Sequence, residues 1–579
     1  MLLLAPLRYQ AAALAAAVLL LGGTAADAQD IAVPGGAIAA VDSIFAPWAG
    51  TESPGCAVGV SRGGEVVLER GYGMANLETD TPIRPGSIFH VASVSKQFTA
   101  MAVMLLVREG KLSLDDDVRK FVPELPDYGQ AITIRQMLTH TSGLRDQWTL
   151  LSLARGRFEE ERITEADVMA IVPRQRALNF EPGMEYLYSN TGYTLAGVIV
   201  RRVTGTSLRD FAEARIFGPL GMTNTHFHDD YTMLVRGRTS AYAPRQGGTW
   251  RVSIPNYDTY GATSLFTTVG DLLRWQANFD DPVVGDRELL REMQTRAVLA
   301  NGDTTGYGLG LATDRHAGRL LIGHGGADAG YRSYLGRFPD DGLSVAVLCN
   351  LATANPAALA RQVADAYLGV APATAASTAG SAPARPATAR VSEAELARYA
   401  GVFHDETTDD VLFLTLRDRR LVLGRTDGPP LIPLGAGRFL VTARAAELTF
   451  GGRDQGSVEM RSTTGGSGAR RFERRNVPAP SPQALAAFAG TYYSEELDAT
   501  YRVTAADSTI LLQTRTAMPR SLYPAFDDAF MAGGMLVLFS RAEDGRITGF
   551  RLSQGRVRGI MFVRMEEPGL DAESRGQSR

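Results

Sequence analysis

Ser93 and Lys96 stand three residues apart in Phe89-His90-Val91-Ala92-Ser93-Val94-Ser95-Lys96, a nucleophilic hydroxyl beside an amine. The chain carries 59 basic side chains, and only Lys96, Lys111 and Lys120 among them are lysines. Arginine stays protonated at any working pH, whereas a partly buried lysine can shed its charge and accept a proton. Lys96 is therefore a candidate catalytic base, with Ser93 the group it would activate.

The elements around the pair give the spacing its meaning. Residues 94–109 place Phe98, Met101, Ala102, Leu105 and Leu106 at the i, i+3, i+4 intervals of a core-facing helix, and Gly110 is a stop. Positions 93 and 96 then share one face of the first turn. There the positive end of the helix dipole and its free N–H groups favour developing negative charge. A serine cap followed by a solvated lysine has the same pattern, so Ser-x-x-Lys alone is suggestive.

Two more segments narrow the reading. Tyr188-Ser189-Asn190 follows, and then Gly323-His324-Gly325-Gly326-Ala327 ahead of a strand-like stretch, 331–338. Ser-x-x-Lys, Tyr-x-Asn and Lys/His-x-Gly, in that order, resemble the motif set of serine β-lactamases and penicillin-binding proteins. The resemblance is closest to class C β-lactamases and the related serine peptidases and esterases. It runs from about Pro54 to Leu351 and includes the connecting segments 138–144 and 217–222.

The resemblance implies an α/β (α+β) domain, an antiparallel sheet of five or more strands flanked by helices. It implies that Ser93 attacks a carbonyl, that Lys96 and Tyr188 share the proton transfers, and that Asn190 contacts the substrate amide or holds Lys96. The N–H groups of Ser93 and Ala327 would form the oxyanion hole, with His324 and Gly326 beside the substrate. An acyl-enzyme on Ser93 and its hydrolysis follow, with no metal or organic cofactor. In that fold the first and last strands are antiparallel neighbours, which brings Cys56 and Cys349 together. Contact is expected, and the covalent bond is left open because paired neighbouring strands often strain a disulfide.

One departure bears on substrate. Lys-Thr-Gly is common where this chain has His324-Gly325-Gly326; a mostly neutral imidazole and a glycine suit a substrate carboxylate less well. The leading substrates are a small ester or a short peptide or amide read at its amino end, including D-amino acid derivatives. β-Lactamase or D-Ala-D-Ala carboxypeptidase activity ranks second, and a catalytically weak protein that binds cell-wall fragments third. A working neutral imidazole at position 324 would make activity decline as pH falls through about 6 to 7.

Other clusters read more plainly. His226-Phe227-His228-Asp229-Asp230 offers two histidines without a third ligand and reads as a solvated loop, so no metal is expected. His90 and His140 read as structural, and Tyr186, Tyr193 and Tyr331 as either pocket lining or packing. The glycine-rich stretch 465–468 follows no phosphate-loop pattern.

Residues 1–28 read as a secretory signal: Arg8, the apolar run 11–21, and small residues at Ala26 and Ala28. The expectation is a periplasmic or secreted protein with no integral membrane span. A net charge of −4 gives no signal for nucleic acid or an anionic membrane, and two cysteines exclude a disulfide-rich scaffold. The partner is a small molecule or short peptide; oligomeric state is not legible.

The catalytic domain is read as 29–369 and an Ala/Pro linker as 370–391. Beyond it, Leu-Ala-Arg-Tyr-Ala-Gly-Val at 396–402 recurs as Leu-Ala-Ala-Phe-Ala-Gly-Thr at 485–491. Pro433 matches Pro524, Phe439 matches Phe530 and Phe472 matches Phe562. Two copies of one unit follow, 392–476 and 483–569, each read as a small antiparallel, lipocalin-like barrel of about eight strands, or both together as one barrel. Appended barrels of this kind resemble those of D-stereospecific aminopeptidases, where a barrel loop can reach the active site.

Overall fold

A computed structural model describes residues 34–156, 161–370, 389–426, 428–442, 446–451, 456–462, 469–514 and 518–566. The signal-like segment, most of the Ala/Pro segment and the glycines at 465–468 lie outside the described residues. Among the described residues no helix is long and apolar enough to cross a membrane.

The catalytic domain is built on one antiparallel sheet. Its strands are β1 (Cys56–Arg62), β2 (Glu65–Tyr72), β3 (Ala312–His316), β4 (Arg319–Asp328), β5 (Tyr331–Phe338) and β6 (Leu343–Cys349), in the spatial order β3-β4-β5-β6-β1-β2. β6 is buried along its whole length, and its alternate side chains feed two cores. Ala346 and Leu348 point to the larger one, while Val345, Val347 and Cys349 point to the other. Period-two alternation with both faces covered explains why these strands read as unbroken apolar runs. Helices α1 (Ala37–Phe45) and α5 (Pro356–Leu368) cover one face; α2 (Lys96–Arg108), α3 (Asn190–Thr204) and α4 (Val269–Ala277) belong to the other layer. Gly59 of β1 lets α4 approach, since a Cβ there would stand 3.0 Å from Val269 Cβ.

Cys56 of β1 pairs in register with Cys349 of β6, and their sulfurs are bonded. The bond links residues 293 apart. Closing so long a loop restricts the unfolded chain, so Cys56→Ala/Cys349→Ala is expected to lose roughly 2–4 kcal/mol of stability, read from denaturant melts. Two free thiols in the non-reduced protein by mass spectrometry would remove the basis for that loss.

The C-terminal copies form two separate sheets. Residues 490–564 make a closed eight-stranded barrel. Residues 401–475 form an eight-stranded sheet with the same neighbour relations, but its end strands Arg420–Leu423 and Ile432–Gly435 are not paired along their length: among the described residues the seam holds the Val422–Pro430 bridge and the bonds from the Leu431 N–H to the Leu421 carbonyl and from the Leu423 N–H to the Pro429 carbonyl. Pro429 and Pro430 lie at that seam and have no N–H to donate, which accounts for the thin closure. The repeat extends to irregularities: the register shifts after Pro433 in one copy and after Pro524 in the other. Phe439, Phe530, Phe472 and Phe562 are all buried.

Candidate active site

Ser93 lies in a 3-10 turn, Ala92–Ser95, that runs directly into α2 at Lys96. The helix expected from residue 94 thus opens with a tighter turn, in which side chains at i and i+3 eclipse, and this aligns Ser93 with Lys96 better than an α-turn would. Ser95 fixes the turn by donating to the Ala92 carbonyl (2.5 Å) and accepting from the Leu265 N–H (3.0 Å). Ala92 is held at φ 48°, a conformation that costs a non-glycine residue energy and that the surrounding contacts must maintain.

Lys96 is fully buried, and its Nζ has three neighbours: Asn190 Oδ1 at 2.8 Å, the Ala262 carbonyl at 2.7 Å and Ser93 Oγ at 3.0 Å. Asn190 Oδ1 and the carbonyl can only accept. A neutral amine has two hydrogens for them and one lone pair, which faces the Ser93 hydroxyl as a proton acceptor. Burial drives the Lys96 pKa well below the ordinary lysine value, and the positive charge of Arg556 adds to the shift. The site therefore favours the amine over the ammonium.

Tyr188 stacks its ring 4.9 Å from Lys96 Nζ. Its hydroxyl is buried with no well-formed hydrogen bond; Ser93 is near enough to pull its pKa down, but burial outweighs that pull and raises it. Tyr188 therefore stays a phenol, a proton donor. His140 packs against it with ring centroids 4.1 Å apart and accepts the Ser189 N–H at Nδ1, a structural role.

Asn190 is held in turn by Asp146, which accepts from its N–H at 2.8 Å and from its amide at 2.7 Å. That orientation turns the amide oxygen toward Lys96. Asp146 also caps the helix Gln147–Arg155.

Gly326 sets the distance between β4 and the serine turn. A Cβ there would stand 2.2 Å from the Val91 carbonyl and 2.2 Å from Ser333 Oγ, so only glycine allows the approach. Ala327 and Ser93 consequently bound one cavity of about 260 Å³. His324 does not bound it. Its Nε2 accepts the Tyr307 hydroxyl (2.8 Å) and its Nδ1–H donates to the Gly325 carbonyl (2.6 Å), so both nitrogens are used within the protein. Burial lowers its pKa to about 3. The imidazole is neutral above that pH, so it cannot produce a decline between pH 6 and 7. His324→Gln is expected to leave the acid limb of the kcat/KM profile where it is between pH 5 and 8; a limb that moved would return the titration to His324.

Of the tyrosines singled out in the sequence, Tyr193 and Tyr331 are buried and donate to the Leu138 and Thr239 carbonyls, so they pack. Tyr257 and Trp148, stacked with centroids 4.8 Å apart, are the aromatic residues at the cavity. His226 and His228 are not solvated as expected: His228 is buried, their rings lie 3.3 Å apart between nitrogens, and burial lowers both pKa values to about 4. Among the described residues no group of three metal-ligating side chains occurs.

The closed barrel reaches this cavity. The hairpin Ile547–Gln554/Val557–Arg564 turns at Gly555 and Arg556, and Arg556 bounds the same space as Ser93. Its guanidinium lies 3.5 Å from Asp146 and 5.5 Å from the Tyr188 ring centroid. The Arg556 carbonyl accepts from Asn179 (2.9 Å), the Arg558 N–H donates to Asn179 (2.9 Å), and the Arg558 guanidinium pairs with Glu185 (3.1 Å).

A buried lysine set to deprotonate a serine beside a strand edge, on a six-stranded sheet between two helical layers, defines a serine hydrolase. The chain belongs to the beta-lactamase family, whose model matches residues 41–442. It is 27% identical over 536 residues to a D-aminopeptidase of Brucella anthropi, covering 89% of this chain and 96% of that one. It is 30% identical over 332 residues to a D-aminopeptidase of Gluconobacter oxydans, covering 57% of this chain and 62% of the other. The octameric penicillin-binding protein homologue from Pyrococcus abyssi shares the fold, with a TM-score of 0.53 and 24% identity over 76% of this chain and 99% of that one.

Proposed function

We propose that this serine hydrolase works through an acyl-enzyme on Ser93 and releases an amino-terminal residue of D configuration from short peptides or amides, outside the cytoplasm. The observation that carries the mechanism is the three-partner arrangement at Lys96, which leaves one lone pair facing Ser93. Lys96 takes the hydroxyl proton as Ser93 Oγ bonds to the carbonyl carbon, and the N–H groups of Ser93 and Ala327 receive the oxyanion. Tyr188, kept as a phenol, hands a proton to the departing amine and is recharged from the Lys96 ammonium. Water then adds to the acyl-enzyme by the reverse sequence of proton transfers.

The substrate class rests on two supports. The D-aminopeptidase of Brucella anthropi aligns along 96% of its length and 89% of this chain. The Arg556 turn fills one side of the cavity, which suits a short chain end better than a long polypeptide. The signal-like residues 1–28 and the Cys56–Cys349 bond favour an oxidising compartment.

The test is a fluorophosphonate label together with a panel of p-nitrophenyl esters, D- and L-amino acid p-nitroanilides and nitrocefin. Labelling at Ser93 and preferred cleavage of the D-anilides are expected. Nitrocefin as the best substrate, or L-anilides cleaved faster than D-anilides, would replace this reading.

A further inference from the structure

Asp328 ends β4, immediately after Ala327, and bounds the cavity with Ser93. Gly326 and Asp328 lie on the same side of the strand, and two residues of extended chain span roughly 6.6 Å. The Asp328 side chain therefore leaves the strand on the side that faces the serine turn, on the cavity that Ser93 lines.

The hydrogen bonds to this carboxylate come from hydroxyls, while the positive charge of Arg332, and that of Lys96 when protonated, also favours its anion. Oδ1 accepts the Tyr257 hydroxyl at 3.2 Å and Oδ2 accepts the Thr263 hydroxyl at 2.8 Å. His90 Nε2 is 3.9 Å away, but burial lowers its pKa to about 3, so it brings no charge. Its Nδ1 accepts the Ala92 N–H, which leaves the proton on Nε2, within 3.4 Å of Thr263 Oγ. One hydroxyl on each carboxylate oxygen leaves lone pairs on both for a further donor.

The two guanidinium groups at the cavity are differently placed. Arg332 donates to the Ala329 and Tyr331 carbonyls at 2.8 and 2.7 Å, and Arg556 lies against Asp146 and Tyr188. Asp328 is thus a half-buried anion on the cavity it shares with Ser93, hydrogen-bonded by two hydroxyls, beside the stacked Trp148–Tyr257 wall. Burial also lifts its pKa, to about 6, the direction expected of a carboxylate awaiting a cation.

We infer that Asp328 receives the α-ammonium group of the residue whose carbonyl Ser93 attacks, with its side chain against the Trp148–Tyr257 wall. This rests on the proposed aminopeptidase-type reaction and names the residue that selects a free amino terminus. A substrate lacking that amine covers the carboxylate with an apolar group, so discrimination arises from both the bond gained and the cost of desolvating the charge without a new donor.

The test uses the Ser93→Ala protein, which binds without turnover. Calorimetry compares D-phenylalaninamide with 3-phenylpropanamide, its analogue without the amine. A charge-assisted bond of this kind corresponds to about a 10- to 100-fold preference for the ammonium ligand. Adding Asp328→Asn should bring the two affinities to parity, and Asp328→Glu should restore part of the preference. Equal binding of both ligands before Asp328 is changed, or a preference surviving Asp328→Asn, overturns the inference. If the Asp328 variants do not fold, a crystal of Ser93→Ala with D-phenylalaninamide decides: an ammonium beyond about 4 Å from the carboxylate excludes the contact. Hydrolysis of D-phenylalanine p-nitroanilide by the unsubstituted chain is a separate readout. Binding through Asp328 without that hydrolysis overturns the proposed reaction and leaves this inference standing; hydrolysis without the preference does the reverse.

Discussion

Lys96→Arg is expected to lower the rate of Ser93 acylation by about 10²–10⁴-fold, the range a positioned general base supplies, while Ser93→Ala abolishes labelling and turnover together. The argument is one of proton count. Asn190 Oδ1 and the Ala262 carbonyl take two N–H bonds and leave a neutral amine its lone pair. A guanidinium can satisfy the same two acceptors and remain charged, so it keeps the contacts and loses the base. The loss should fall on kcat rather than KM, because the proton moves only as the transition state forms. Tyr188→Phe should cost less at acylation by an activated ester, whose leaving group needs no proton, than by an anilide. Pre-steady-state release of p-nitrophenol and p-nitroaniline from matched substrates measures both effects. Ser93→Ala with undiminished turnover would end the scheme; Lys96→Arg with an unchanged burst rate would move the base elsewhere.

The parts of this site that were legible in the sequence are those held by local geometry. Ser93 and Lys96 are three residues apart on one turn, and Tyr188 and Asn190 flank the start of α3, so spacing alone brings each pair together. The pairing of Cys56 with Cys349 came from the fold the motifs resemble, and the repeat of the barrels came from matched residues such as Pro433 and Pro524. What could not be read is carried by contacts across the chain. Asp146 has a local role as a helix cap, but its hold on Asn190 spans 44 residues. Arg556 enters the cavity because a hairpin some 370 residues past Asn190 docks on Asn179 and Glu185. His324 sits in a recognisable motif, yet Tyr307 captures its ring and burial removes its titration from the neutral range. Asp328 is one acidic residue among 63, and no pattern in the sequence says that hydroxyls from two distant segments bond its two oxygens.

A buried ion pair lies among the contacts that dock the barrel. Arg145, next to Asp146, faces Glu496 of the closed barrel at 2.5 Å, and both side chains are almost wholly buried, at 2% and 6% exposure. Glu496 also accepts the Arg176 N–H at 2.8 Å and the Met561 N–H at 3.3 Å, while Arg145 donates to the Arg558 carbonyl at 2.7 Å. Glu496→Gln keeps the shape and removes the charge, leaving Arg145 buried without compensation, which is expected to cost about 3–5 kcal/mol. The double replacement Arg145→Leu/Glu496→Leu should recover part of that loss, because the cost lies in the stranded charge and not in the absence of the pair. A functional consequence follows from position. Arg145 and Asp146 are consecutive, and the Asp146 N–H itself donates to the Arg556 carbonyl, so loosening the barrel loosens the group that orients Asn190 and, through it, Lys96. Glu496→Gln should therefore show a lower melting midpoint, faster hydrogen exchange at the 555–558 turn and a lower kcat/KM on anilides. A variant with unchanged melting and exchange would mean that the ion pair does not hold the barrel to the catalytic domain. Lowered stability with full activity would mean that the barrel is attached there but does not position the site.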